Sequence, residues 1–293
     1  MKEVKQILIA IDRSAMAEEA LKRAISIAKK KDARLIVMHV IESSFIESPF
    51  VQSIDKDKLK REITEQIDQL NKQANIEYIL FVESGSASGT IIDMVQKSEV
   101  DLLVVGSHGK SDVESGHFGS TTLKIIQNTH IPVLIVKNRV KTIYQKMIAP
   151  TNLSDYSKES ILFANTLFTK PSRKYLYAFE TMSELSAITF HISSEQRRAA
   201  NVEITVNAKT ALAEFVKEVG DGQMELIDFA ASINEDLLAY ITDDKADLLV
   251  LGSKGVDNLN SFVFGSTASY LVQRSPIDVL VYVPLLLPPR QNT

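Results

Sequence analysis

The chain has 293 residues, 45% of them apolar, with 33 basic against 37 acidic side chains and a net charge of −4, which is material for about two globular domains with a core each. No basic run stands out, which argues against nucleic acid or an anionic membrane as a partner. The absence of cysteine excludes disulfides, thiol nucleophiles and thiolate metal centres, and fits a reducing cytoplasm.

In chain order, residues 6–11 read as an apolar strand ending in Asp12-Arg13-Ser14. Ser14 caps a helix with Glu18 and Glu19 in its first turn, Leu21, Ala24, Ile25 and Ala28 on its buried stripe, and Lys29 to Lys31 at its end. Residues 34–41 form the next strand, so the trio is a right-handed parallel crossover. Asp12 thus falls at the carboxyl end of a strand, where open α/β sheets place ligands; it either caps the helix further or accepts a hydrogen bond from a ligand. His39 reads as a packed strand residue. The stretch 42–55, with Phe45, Pro49 and Phe50, is a loop long enough for a lid or an oligomer contact, with simple mobility as the plainer account. A helix over 57–74, a strand over 76–82, a small-residue turn from Ser84 to Gly89 and a helix bearing Ile91, Ile92 and Val95 follow.

Next comes the stretch around which the chain is organised. Asp101-Leu102-Leu103-Val104-Val105-Gly106-Ser107-His108-Gly109, nine residues, then Gly119-Ser120-Thr121 recurs as Asp247-Leu248-Leu249-Val250-Leu251-Gly252-Ser253-Lys254-Gly255, nine residues, then Gly265-Ser266-Thr267. The offset is 146 at all three glycine pairs (106 to 252, 109 to 255, 119 to 265), and these six are over half of the chain's 11 glycines. Such placement points to a demand on the backbone or to a ligand that approaches it closely. A doubly buried strand runs into a glycine loop and then into the head of an apolar-periodic helix, whose unpaired N–H groups attract anions. In outline this is a phosphate cradle. It cannot work alone: micromolar affinity needs about 8 kcal/mol, the helix dipole gives roughly 0.3–1, and each hydrogen bond to a charged group about 1.5–3. A base pocket must supply the rest.

The remaining elements are a strand over 133–137, a polar linker over 138–145, and a second half with strands at 147–150, 175–179, 224–230 and 279–283. Its helices begin at Ser154 and Asn234, a longer segment runs through Val219, and a proline-rich tail covers 284–293. The expected domains are 1–140 and 141–293. Neither the five-residue run before Asp12 nor the stretch at 279–287, broken by Pro284, suffices for a signal peptide or a membrane span.

Gly-x-x-Gly, nine residues, Gly-(Ser/Thr) resembles the phosphate- and ribose-binding signature of nucleotide-binding members of the universal stress protein family, and the whole chain looks like a tandem member. The resemblance implies an α/β fold of two repeated Rossmann-like open parallel five-stranded sheets, adenine nucleotide alpha hydrolase-like, packed as a pseudo-dimer through the two final strands. It also implies ATP or AMP as ligand, with Mg2+ a further option, adenine beside Asp12 and the main chain of Val40, with Asp12 accepting from the adenine amino group or from ribose, phosphates at Gly119, Ser120 and Thr121, and Gly106 and Gly109 completing the phosphate- and ribose-binding signature. In the second half the equivalent set is Asn152, Gly252, Gly255, Gly265, Ser266 and Thr267. There Asn152 replaces Asp12, and Tyr177, Ala178 and Phe179 replace His39, Val40 and Ile41, so base recognition differs while the cradle persists, and the first half is expected to bind more securely. The amide oxygen of Asn152 can still accept a hydrogen bond, without the charge, and the amide can also be flipped to present its NH2.

Gly109-Lys110-Ser111 imitates the end of a P-loop, but the required first glycine is Val104 and the second copy has Val256-Asp257. Lys110 and Lys254 serve at most to neutralise phosphate. Asp112 and Glu114 can hold a metal through water, while His108 and His117 do not recur. No catalytic constellation emerges, so turnover is expected to be slow at most. The expected function is a cytoplasmic, nucleotide-dependent stress-response regulator with an unknown protein partner, a further homodimer being left open. The alternatives are a scaffold that needs no nucleotide and a slow ATP-hydrolysing or adenylate-transferring enzyme.

Overall fold

The computed structural model describes residues 3–42, 55–107, 118–140, 143–229, 232–252 and 265–282, which form two compact units. The first unit contains β1 (Gln6–Ile11), α1 (Ala15–Lys31), β2 (Arg34–Ile41), α2 (Lys56–Asn71), β3 (Tyr78–Ser84), α3 (Ala87–Lys97), β4 (Leu102–Gly106), α4 (Ser120–Asn128) and β5 (Val133–Val136). The second contains β6 (Lys146–Thr151), α5 (Asp155–Leu167), β7 (Ser172–Phe179), α6 (Glu184–Thr189), α7 (Ser194–Val219), β8 (Gln223–Asp228), α8 (Ile233–Asp243), β9 (Leu248–Gly252) and α9 (Ser266–Arg274). The last strand, β10 (Asp278–Tyr282), belongs to the first unit.

In the first unit the strand order is β3-β2-β1-β4-β5-β10, parallel from β3 to β5. β10 runs antiparallel to β5, with Val279 opposite Ile135, Leu280 opposite Leu134 and Val281 opposite Val133. The expected pairing of the final strands is present. The paired residues are fully buried Val, Leu and Ile, and each strand satisfies the other's edge of unpaired backbone groups. Asp278 ties the pair together: its Oδ1 accepts the N–H groups of Lys137 at 2.8 Å and Asn138 at 3.1 Å. In the second unit the order is β9-β6-β7-β8, all parallel.

Each sheet changes winding direction once. The chain leaves β1 outward to β2 and β3 and returns to β4 on the other side; it leaves β6 to β7 and β8 and returns to β9. Ligand crevices in open α/β sheets lie at such switch points, beyond the carboxyl ends of the strands, which here means between β1 and β4 and between β6 and β9. The strands lining them are fully sequestered: Leu102, Leu103 and Val104 in β4 and Leu248, Leu249 and Val250 in β9 have no exposed surface.

The aspartate that opens each motif has a structural role at the opposite end of the sheet. Asp101 Oδ2 accepts the N–H groups of Lys5 at 2.8 Å and Gln6 at 2.9 Å, fixing the start of β1. Asp247 does the same for Gln145 at 2.7 Å and Lys146 at 3.0 Å before β6.

The long segment before Val219 resolves into α6 and the 26-residue α7. α7 starts at a capping box, in which Ser193 Oγ accepts the Gln196 N–H and Gln196 Oε1 accepts the Ser193 N–H. The Ser-x-x-Gln spacing was the available signal for it.

Candidate functional site

Both crevices begin with the same turn. Beyond β1, Arg13 takes a left-handed conformation (φ 66°), and beyond β6 Leu153 does so (φ 63°). The residue before each accepts from the N–H two positions on: Asp12 Oδ1 from Ser14 at 3.0 Å, Asn152 Oδ1 from Ser154 at 3.2 Å. Ser14 and Ser154 then cap α1 and α5, each accepting from the N–H three residues later.

The side chains at the two turns are engaged differently. Asn152 Oδ1 also accepts the hydroxyl protons of Ser154 at 2.6 Å and Ser157 at 2.7 Å. A backbone N–H can only donate, so the Ser154 amide fixes which amide atom faces it, and the oxygen side is fully engaged. Asn152 Nδ2 makes no hydrogen bond among the described residues and is the group available to a ligand. Of the two orientations that the sequence leaves to this amide, the one present turns the oxygen to the serines.

Strand register sets the next pair. Ile11 lies opposite His39 and Thr151 opposite Tyr177, so Val40 and Ala178 hold equivalent places one residue further on. His39 is buried, with Nδ1 2.8 Å from the Ile11 carbonyl, which makes Nδ1 the protonated nitrogen and His39 a packing residue.

The motif glycines separate by job. A Cβ on Gly252 would sit 2.8 Å from the Tyr156 carbonyl oxygen and 3.2 Å from the Ser157 nitrogen. One on Gly106 would meet Met16 Cγ at 3.3 Å and the Ala17 nitrogen at 3.5 Å. Gly252 is required where the first turn of α5 crosses the end of β9, whatever else binds there, while Gly106 is closely approached by α1 with room that a small shift of Met16 can provide. Gly265 is the opposite case: nothing lies within 4 Å of the Cβ it lacks. It is the N-cap of α9 and offers no side-chain acceptor, as Gly119 does for α4. The first N–H groups of each helix, around Ser266 and Thr267 or Ser120 and Thr121, therefore have no cap from these residues. In the first copy Gly119 N–H donates to the Ser107 carbonyl at 3.0 Å, and Thr122 Oγ1 donates to the Gly106 carbonyl at 3.1 Å, tying α4 to β4. Ala268 stands in the place of Thr122 in the second copy. Gly109, Gly255, Lys110, Lys254, Asp112, Glu114, His108 and His117 lie outside the described residues.

In the second unit these elements enclose a cavity of about 440 Å³, within the roughly 300–1,000 Å³ of small-molecule sites. Asn152, Gly252, Gly265, Ser266 and Thr267 all line it. Its apolar wall comes from Leu176 and Ala178 of β7 and Ile233 and Leu237 of α8. Among the described residues no Asp, Glu, Lys, Arg or His lines it, so an anion there would rest on amide N–H and hydroxyl groups. No cluster of three His or acidic side chains able to hold a metal occurs among the described residues.

A family model described as the universal stress protein family matches residues 3–137 and again 143–283. The chain belongs to the universal stress protein family. Among curated family members, universal stress protein MJ0531 of Methanocaldococcus jannaschii is 33% identical over 116 residues, covering 38% of this chain and 68% of that protein. Universal stress protein A homolog 1 of Coxiella burnetii is 32% identical over 115 residues, covering 36% and 77%. The crystal structure of a universal stress protein from Archaeoglobus fulgidus superposes over 96% of this chain and 99% of its own, with a TM-score of 0.66 at 16% identity, a likeness of fold. The double match shows two family domains in tandem. No helix among the described residues is long and apolar enough to cross a membrane.

Proposed function

We propose that the chain is a cytoplasmic, nucleotide-dependent regulator of a stress response that binds ATP or AMP between β1 and β4 and a second nucleotide between β6 and β9. The domains would divide at residues 140 and 141. The observation that carries this reading is the second-unit cavity of about 440 Å³, where the open space beside Gly265 and the uncapped first turn of α9 meet the apolar side chains of Leu176, Ala178, Ile233 and Leu237 at a switch point. Phosphates would sit against Ser266 and Thr267, and correspondingly against Gly119, Ser120 and Thr121, with Mg2+ as a companion of a triphosphate. Adenine would sit beside Asp12 and Val40. Rapid turnover forms no part of this reading: phosphoryl transfer needs a placed water and a cationic group at the transferring phosphate, and among the described residues no charged side chain lines the cavity.

The test is to unfold the purified protein, identify released nucleotide by ion-pair chromatography, and titrate fresh protein with ATP by calorimetry. Gly119→Val with Ser120→Ala should abolish the first site, and Gly265→Val the second. Because a Cβ at 265 meets nothing, that variant keeps its fold and loses only the ligand. Unchanged affinity in all variants contradicts the assignment.

A scaffold reading also has an observation behind it: Leu185, Ile188 and Phe190, on and just after α6, are 75%, 67% and 72% exposed, more than a solvated helix needs. It predicts no released nucleotide and no thermal shift with ATP.

A further inference from the structure

We infer that the second crevice selects a nucleotide whose base presents a carbonyl oxygen, as hypoxanthine, guanine or uracil does, and disfavours the amino edge of adenine. The inference rests on the nucleotide reading above and sharpens it for one half of the chain.

Asn152 is the one side-chain amide in the described lining; every other polar side chain there is a hydroxyl. Asn152 follows Thr151, which lies opposite Tyr177 in the sheet, and it lines the same cavity as Ala178 and the apolar residues Leu176, Ile233 and Leu237. Its oxygen already receives the Ser154 N–H and the hydroxyls of Ser154 and Ser157. Rotating the amide to offer that oxygen would turn Nδ2 toward the Ser154 N–H, setting donor against donor and leaving a backbone group unsatisfied. Asn152 therefore offers the slot N–H donors and no acceptor. The hydroxyls of Tyr156 and Tyr177, also in the lining, give or receive a proton equally well and do not discriminate. A ring amino group at the rim meets a second donor there; a ring carbonyl meets its complement. In the first crevice the same place holds Asp12, which is acceptor-only when ionised, so the two halves have opposite hydrogen-bonding character at one turn.

The probes are ATP and inosine triphosphate, which share the purine ring system and differ on one edge: an amino group beside an acceptor N1 in ATP, a carbonyl beside an N1–H donor in inosine triphosphate. The protein is the full chain carrying Gly119→Val and Ser120→Ala, so that calorimetry reports on the second crevice alone. The expected result is inosine triphosphate binding about tenfold tighter than ATP, the exchange of one hydrogen bond for a donor clash. Asn152→Asp should invert this order, because one carboxylate oxygen keeps the Ser154 N–H while the other faces the slot. Equal binding, tighter ATP binding, or a preference that Asn152→Asp leaves unmoved overturns the inference while leaving nucleotide binding intact. Binding of neither nucleotide overturns the second-crevice reading together with the inference. Should Asn152→Asp unfold the protein, Asp12→Asn in the otherwise unaltered chain poses the same question: the first crevice must gain affinity for inosine triphosphate relative to ATP, and no gain contradicts the argument.

Discussion

The turns Asp12-Arg13-Ser14 and Asn152-Leu153-Ser154 have nearly identical backbones and opposite chemistry. Each puts its middle residue in the left-handed region, each hands a serine to the following helix, and each sits at a switch point. The difference is one side-chain atom and the company it keeps. Ser157, one turn into α5, donates to Asn152, and Ala17 at the matching place in α1 has no hydroxyl to give. A repeated fold thus preserves the geometry of a site while altering what it recognises, and the contrast between the halves can be tested position by position.

The largest expected contrast lies beyond β5. Lys137 is held down to about 8 because burial disfavours its charged form, with Asp278 opposing, and its Nζ lies 5.3 Å from the centroid of the Phe118 ring. The matching place in the second half is Val283. A lysine whose folded value lies below its unfolded value binds fewer protons when folded, so stability rises with pH between about 8 and 10.5 and is lower below that window. The shift corresponds to roughly 3 kcal/mol as an upper figure. Urea unfolding across this range should show the rise, and Lys137→Met should flatten it and stabilise the protein at neutral pH; a flat wild-type profile contradicts the assignment.

A smaller contrast separates the first glycines of the two motifs. Gly252→Ala drives a Cβ into the backbone of Tyr156 and should cost about 1–3 kcal/mol. Gly106→Ala meets Met16 Cγ at 3.3 Å and the backbone of Met16 and Ala17 only at 3.4 and 3.5 Å, near ordinary contact, and should cost less than about 1 kcal/mol. Equal losses of thermal stability would show that the two helix crossings are not the different environments described.

The smallest effect concerns the end of α8. Burial raises the Asp244 carboxyl, but hydrogen bonds from Lys146 and Lys174 outweigh it, and the net value lies below the ordinary one. The ion pairs measure 2.7 Å and 2.5 Å. In the first half Ser98 ends α3 at this place. A depressed carboxyl contributes stability that is present above its unfolded value and is lost as pH falls through the folded one. Acid below the ordinary aspartate value of 3.8 should therefore loosen hydrogen exchange at β6 and β7 more than at β1 and β2, and Asp244→Asn should remove the difference; equal protection in both halves throughout that range contradicts it.

Much of this architecture could be read in advance because its signals are local. Buried Leu/Val runs ending in Gly106 and Gly252, serine caps before amphipathic stretches, and a fixed 146-residue offset each have one dominant physical cause. What escaped depended on tertiary placement. β7 begins at Ser172, before the expected strand, because Lys174 is neutralised by Asp244 inside the unit. α7 shows no clean apolar stripe, since only Ala208, Leu212, Phe215 and Val219 of its 26 residues are buried, and its capping box was the stronger cue. The spacing flagged Gly106 and Gly252 as special but could not tell a ligand's approach from a helix crossing. Nor could it show that the oxygen of Asn152 is engaged, since that depends on where two serine hydroxyls point.

The most direct test is amide NMR at the starts of the two helices. Saturating ATP should shift the Ser120 and Thr121 amide resonances, and inosine triphosphate should shift those of Ser266 and Thr267. If nucleotide binds and all four amides stay where they were, the phosphates are held elsewhere and the account is wrong.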